Sequence, residues 1–214
     1  MLKFFSGLAL VALLLFLPAG SFAYWQAWLL IGVLFVPMFA AGLVMMAKNP
    51  ALLRKRLNAK EQQSEQKKVV ALSGILFLVS FVLAGLNYRF GWLVMPRAVI
   101  WAAAGVFLLG YCLYAEVLRE NTYLSRTIEV QEDQKVVDTG LYGLVRHPMY
   151  TATILLFLAM PLILGSPLSF AVMLLYLPII ARRIRNEEAV LEQGLEGYAD
   201  YKKRVKYRLF PGIW

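Results

Sequence analysis

Asp138-Thr-Gly-Leu-Tyr-Gly-Leu-Val-Arg-His-Pro-Met-Tyr150 leads into two short apolar runs, Pro148 to Leu164 and Pro167 to Ile180, which end at Arg182-Arg-Ile-Arg-Asn-Glu-Glu188. Gly165-Ser-Pro167 between the runs is a turn signal. Each run is near the lower length limit for a bilayer span. Together they predict a tight helical hairpin whose two open ends face the same side. Polar clusters abut both ends, so the hairpin brings them together.

Composition sets the environment of this hairpin. Of 214 residues, 60% are hydrophobic and 16% charged, and the mean hydropathy is +0.63. A soluble domain of this length cannot hide so much apolar sequence. The net charge of +9 comes from basic residues that flank apolar runs. That placement fits topological anchoring in a membrane and not nucleic-acid binding. One cysteine, Cys112, and one histidine, His147, exclude an intrachain disulfide and any metal site built from several of either residue. No metal is expected.

Upstream, residues 1 to 23 imitate a signal peptide, with Lys3 as a basic start and Leu8 to Leu17 as an apolar centre. The competing reading, a first membrane helix, is the one adopted. Trp25 to Ala47 is a second span, with Tyr24, Trp25 and Trp28 as an interfacial belt and Pro37 as a predicted bend. Lys48 to Lys68 is a polar loop with seven basic residues against Glu61 and Glu65. The positive-inside rule puts it in the cytoplasm. Val69 to Leu86 and Ala98 to Leu118 are further spans, which return the chain to the cytoplasm for the polar interval 119–147. Thr127 to Val130 and Lys135 to Val137 are read as short extended pieces. Ala181 to Trp214 is read as a charged amphipathic helix and a short end, with Leu191, Leu195 and Tyr198 at helical spacing.

The fold class is therefore an all-α polytopic integral membrane protein of about six apolar helical segments, five or six of them spans, with both termini cytoplasmic. Residues 1–118 are expected to form the scaffold and the lipid-substrate side. Residues 119–214, including the hairpin 148–180, carry the cytoplasmic pocket.

Arg146 and His147 stand just before Pro148, which is favoured at the first position of a helix. That end carries unpaired backbone donors and positive dipole, so an anion suits it. Gly140 and Gly143 let a backbone approach such a ligand. The plainer reading is headgroup-level anchoring by Arg146 and His147. Glu187 and Glu188 follow the hairpin, with Arg183 four residues before Glu187 and Arg185 three before Glu188. These spacings allow helix-face ion pairs of little energetic weight. The functional alternative is a carboxylate that accepts hydrogen bonds from ribose hydroxyls or an ammonium. The tail Gly197 to Val205, taken alone, suits a helix lying on the membrane surface.

Gly140-Leu-Tyr142, Arg146-His-Pro-Met-Tyr150, Glu187-Glu188 and Tyr198-x-x-Tyr201-x-x-x-Val205 with Pro211 resemble, in order and spacing, the isoprenylcysteine carboxyl methyltransferase family. Phospholipid N-methyltransferases carry a similar C-terminal signature. The resemblance covers about residues 115 to 211. It implies S-adenosyl-L-methionine at the cytoplasmic mouth of the hairpin, recognised through Gly140, Leu141, Tyr142, His147, Tyr150, Glu187 and Glu188. It also implies a lipid-tailed substrate reaching the site laterally from the bilayer, with Arg146 and Arg183 holding its carboxylate. Leu141 replaces a common proline, Ala152 replaces a common glycine, and the interval Leu191 to Tyr198 is a residue short.

Transfer of a methyl group from a sulfonium is an in-line displacement that needs orientation and a dry site. A carboxylate acceptor needs no base; Arg146 and Arg183 would position it. An amine acceptor must lose a proton, to Glu187, Glu188 or His147. Rival classes are an NADPH-dependent membrane reductase of the sterol type and a non-catalytic membrane protein. The absence of a separate soluble domain suits a prokaryotic inner membrane.

Overall fold

A computed structural model describes residues 2–48, 64–124 and 130–214. The described residues form α1 (Leu2–Ala19), α2 (Trp25–Lys48), α3 (Ser64–Phe90), α4 (Arg97–Glu120), α5 (Pro148–Ile163), α6 (Pro167–Met173), α7 (Tyr176–Gly194) and α8 (Tyr198–Arg204). A single 3-10 turn, Gly140–Gly143, precedes α5. Among the described residues, four segments are long and apolar enough to cross a membrane: Trp25–Lys48, Lys67–Phe90, Arg97–Glu120 and the broken pair Pro167–Gly194. Phe4–Ala19 and Pro148–Ile163 are shorter apolar helices. The fold is thus all-α and polytopic, with the six apolar segments expected.

The helices run between two ends. At one, the Tyr24 hydroxyl donates to the Leu164 carbonyl at 2.7 Å, and Asn87 Nδ2 donates to the Leu93 carbonyl at 2.8 Å. The turn between α5 and α6, the α3–α4 connection and the start of α2 therefore meet there. Further along, the Tyr111 hydroxyl of α4 bonds to the Leu34 carbonyl of α2 at 2.6 Å, which fixes these helices as parallel neighbours. Leu15, Tyr24, Leu30, Phe81, Phe107 and Ile163 fill the common core between α1 and α5. An added Cβ at Gly85 would stand 2.7 Å from the Leu15 carbonyl oxygen. Here α1 and α3 touch backbone to backbone, the close approach that small residues permit between membrane helices. Leu17, Val36, Trp101 and Leu109 are exposed on the outer surface, where an apolar face suits acyl chains.

The predicted hairpin is present, but its second arm differs. It breaks at Leu174-Leu175 and then continues as α7 to Gly194. Pro178 explains the break: it has no N–H to return to Leu174, and in the first turn of α7 that donor is not needed. The polar tail is therefore the end of α7 followed by the separate helix α8, not one amphipathic helix. No bend separates α2 into two elements at Pro37. Helix α3 begins at Ser64, so the last residues assigned to the polar loop are helical; residues 49–63 lie outside the described residues. Lys135 to Val137 have no strand partner among the described residues, and residues 125–129 lie outside them.

Candidate functional site

Pro148 starts α5 at its first position, with His147 as the preceding residue. The segment before it pairs with the tail: the Arg146 and His147 N–H groups donate to the carbonyls of Tyr207 and Arg208, each at 2.9 Å. The Thr151 hydroxyl continues the seam with a 2.7 Å bond to the Leu209 carbonyl. With no strand among the described residues, these bonds satisfy backbone that no helix covers. They hold Arg146 and His147 against the polar half of α7.

There the helix start meets its anion, and the anion is internal. Arg146 Nε donates to Glu188 Oε1 at 2.7 Å, and His147 Nε2 lies 3.2 Å from the same oxygen. Arg208 Nε donates to Glu188 Oε2 at 2.9 Å. Glu188 is 2% exposed, and three basic groups share its charge. Arg146 also donates from one terminal nitrogen to the carbonyls of Val205 and Lys206, at 2.7 and 2.8 Å. The pairing expected from spacing, Arg185 with Glu188, does not form; Arg185 is exposed and Glu188 takes partners distant in sequence.

Glu187, one residue earlier, faces a different neighbourhood. The Tyr150 hydroxyl donates to its Oε2 at 2.5 Å, and Arg183 Nε donates to the Tyr150 oxygen at 2.9 Å. Arg183, Tyr150 and Glu187 thus form a relay across the interface of α5 and α7. All three line a cleft of about 850 Å³, open mouth included, together with Arg146, His147 and Tyr142. Its far wall comes from Asn121, Tyr123, Gln134 and Lys135, and from the apolar Val136, Leu191 and Leu195.

The turn that carries Gly140, Leu141 and Tyr142 is held from α4. Gly140 has φ +53°, a left-handed conformation, and a Cβ there would lie 3.1 Å from the Glu120 carboxyl carbon. The backbone conformation favours glycine, and a side chain there would also push the Glu120 carboxylate aside. The Thr139 hydroxyl bonds to Glu120, and Asn121 Nδ2 donates to the Tyr142 hydroxyl at 2.9 Å. Gly140 and Leu141 are not among the lining residues; Tyr142 is.

The structure therefore gathers Tyr142, Arg146, His147, Tyr150, Arg183 and Glu187 around one cleft and sets Glu188 behind it. Sequence reasoning missed Glu120, Asn121 and Arg208, for which no local pattern gave a signal. Tyr198 and Tyr201 belong to the signature quoted for the resemblance, but the tail taken alone read as a surface helix. Both are buried, and the Tyr201 hydroxyl donates to the Tyr142 carbonyl at 2.8 Å. Tyr198 lines the cleft, and its buried hydroxyl has no hydrogen-bond partner among the described residues. No cluster of three potential metal-binding side chains occurs among the described residues.

Residues 98–196 match the family model for phospholipid methyltransferase. This part of the chain is similar to that family of membrane methyltransferases. The match begins in α4 and ends just past α7, so it contains the 3-10 turn, the hairpin and both glutamates. The fold is similar to the solved structure of the eukaryotic intramembrane Ras methyltransferase ICMT (isoprenylcysteine carboxyl methyltransferase). The TM-score is 0.53 and the identity 20%, over 88% of this chain and 74% of that one. A curated relative, a Delta(14)-sterol reductase of Mus musculus, is 29% identical over 91 residues, 41% of this chain. That match spans only 22% of the reductase.

Proposed function

We propose that the protein is an S-adenosylmethionine-dependent methyltransferase of the membrane, acting on a carboxylate of a lipophilic, isoprenylcysteine-like acceptor. The observation that carries this reading is the Arg183–Tyr150–Glu187 relay on the cleft wall. It places a carboxylate and a guanidinium side by side within the region that matches the family. The residues present suit the cofactor. Glu187 offers oxygen acceptors to ribose hydroxyls or an ammonium, Val136, Leu191 and Leu195 offer an apolar wall, and the Tyr198 hydroxyl awaits a partner.

When bound, the cofactor would supply an electrophilic methyl on sulfur for an acceptor oxygen, with a neutral thioether as the leaving group. The chain's part is orientation. Arg183 holds the acceptor carboxylate, Tyr150 fixes Glu187, and Arg146 and His147, tied to Glu188, keep the floor of the cleft rigid. Arg146 also stands at the cleft and is the second candidate for the carboxylate. Residues 119–214 would then be the cofactor-binding part, and residues 1–118 the scaffold and lipid side. The cleft lies at the same end as Lys48 and Lys67, so the positive-inside rule favours a cytoplasmic site; a prokaryotic inner membrane is the proposed location.

A second reading, methylation of a phospholipid amine, is favoured by the name of the matching family. There Glu187, Glu188 or His147 takes the proton released from nitrogen, and Glu187 is the best placed because it lines the cleft. The partial likeness to a sterol reductase makes NADPH the competing cofactor. Binding of S-adenosylhomocysteine and of NADPH to the detergent-purified protein separates these classes. S-adenosylhomocysteine is expected to bind; binding of NADPH alone overturns the proposal. Radiolabelled S-adenosylmethionine offered with prenylcysteine and with amine phospholipids then decides the acceptor, and label confined to the amine headgroups defeats the carboxylate reading.

A further inference from the structure

Among the described residues, three buried side-chain polar atoms lack a hydrogen-bond partner: Gln26 Oε1, Ser80 Oγ and the Tyr198 hydroxyl. Only Tyr198 belongs to the cleft. Burying a hydroxyl without a partner costs free energy, and little here lets the group escape. Tyr198 opens α8 and is 4% exposed. Its ring packs with Leu195, Tyr201 and Val205, with Val136 and Leu191 against them, and its centroid lies 5.7 Å from that of Tyr201. This packing limits how far the ring can turn in search of another partner. The carboxylates of Glu187 and Glu188 are near enough to act on it electrostatically. A tyrosine hydroxyl can both donate and accept a hydrogen bond, so it can serve a ligand of either polarity.

We infer that Tyr198 is a ligand-binding residue whose hydroxyl forms a hydrogen bond with a polar group of the cofactor. The inference rests on the proposed function and extends it to a residue of the tail. The contact explains why an unpaired polar atom is kept where phenylalanine would fill the same space. It also closes the cleft from the α8 side once the ligand is present.

Tyr198→Phe removes the hydroxyl and leaves the ring. The test is the melting temperature of detergent-purified wild type and variant, and the affinity of each for S-adenosylhomocysteine by calorimetry. Without ligand, the variant is expected to melt at the same temperature as wild type or higher, because an unpaired buried group has been removed. Its affinity is expected to fall about tenfold, the loss of one ordinary hydrogen bond. Equal affinity in wild type and variant overturns the contact while leaving the proposed function standing. A lower melting temperature of the unliganded variant also overturns it, since the hydroxyl would then be partnered in the resting protein. Wild type that does not bind S-adenosylhomocysteine overturns the proposed function, and this contact with it.

Discussion

Arg146 Nε and Glu188 Oε1 are 2.7 Å apart although 42 residues separate them in the chain. Their side chains are 4% and 3% exposed. A buried pair of this kind is costly to break, because the surviving partner keeps its charge without compensation. Glu188→Ala leaves Arg146 and His147 together without their anion, and should lower stability by about 3–5 kcal/mol. Denaturant or thermal melts in detergent measure this. A melt like that of wild type would show that the carboxylate does not hold α7 to the start of α5.

Glu187→Ala should behave differently. Glu187 is part-exposed at the cleft, and the Tyr150 oxygen keeps Arg183 as a partner. Stability should change by about 1 kcal/mol or less, while affinity for S-adenosylhomocysteine falls. Loss of stability as large as that of Glu188→Ala would contradict the division of roles between the two adjacent acids.

Tyr150→Phe cuts the link between Arg183 and Glu187 and keeps the ring. Methyl transfer should drop about tenfold or more, as expected when an oriented group loosens. The fold should lose only about 1 kcal/mol. Single-turnover rates with saturating cofactor, compared with melting curves of the same variant, separate the two effects.

At Gly140, alanine meets both a left-handed backbone and the Glu120 carboxyl group 3.1 Å from its Cβ. Gly140→Ala should cost about 1 kcal/mol or more. The damage should extend to Tyr142, which the same turn carries, and weaken ligand binding. Equal binding and melting in the variant would remove the turn from the candidate site.

Alkaline pH gives a further test. Burial, and after it the charges of Glu188 and Glu187, raise the Tyr198 pKa well above the usual tyrosine value. The unfolded residue ionises at about pH 10; the folded one does so only at higher pH. The stabilising difference is therefore intact below pH 10 and is lost as pH rises above it towards the folded pKa. Over that window Tyr198→Phe should make the fall of stability with pH shallower by about 1.4 kcal/mol per pH unit. Parallel pH profiles for the two proteins would refute the burial of this hydroxyl.

The membrane architecture and the hairpin were legible because long apolar runs, Gly165-Ser-Pro167 and Pro148 act locally. The sequence also marked Arg146, His147, Tyr150, Arg183 and Glu187 as residues that one fold could collect. It did not reveal which glutamate faces inward. Spacing suggested Arg185 for Glu188, but the tertiary fold supplies Arg146, His147 and Arg208, and buried partners outweigh a solvated helix pair. Taken alone, the tail with Tyr198 and Tyr201 read as a membrane-surface helix, because tyrosines stand there beside the basic run Lys202 to Arg204. Their burial depends on the seam between residues 146–147 and 207–208, and that pairing has no local signature. The break at Leu174-Leu175 was readable in principle from Pro178, which forbids the bond to Leu174.

The walls of the cleft come from three stretches far apart in the chain: residues after α4, the start of α5, and α7 with α8. None of them makes the cavity alone. Its presence is therefore a report that synthesis, insertion and docking of the tail have all been completed. A ligand that binds there recognises only finished molecules. At a hundred times its dissociation constant it would add about 2.7 kcal/mol to their stability, and so would rescue poorly assembling variants even when their defect lies in distant α1 or α3.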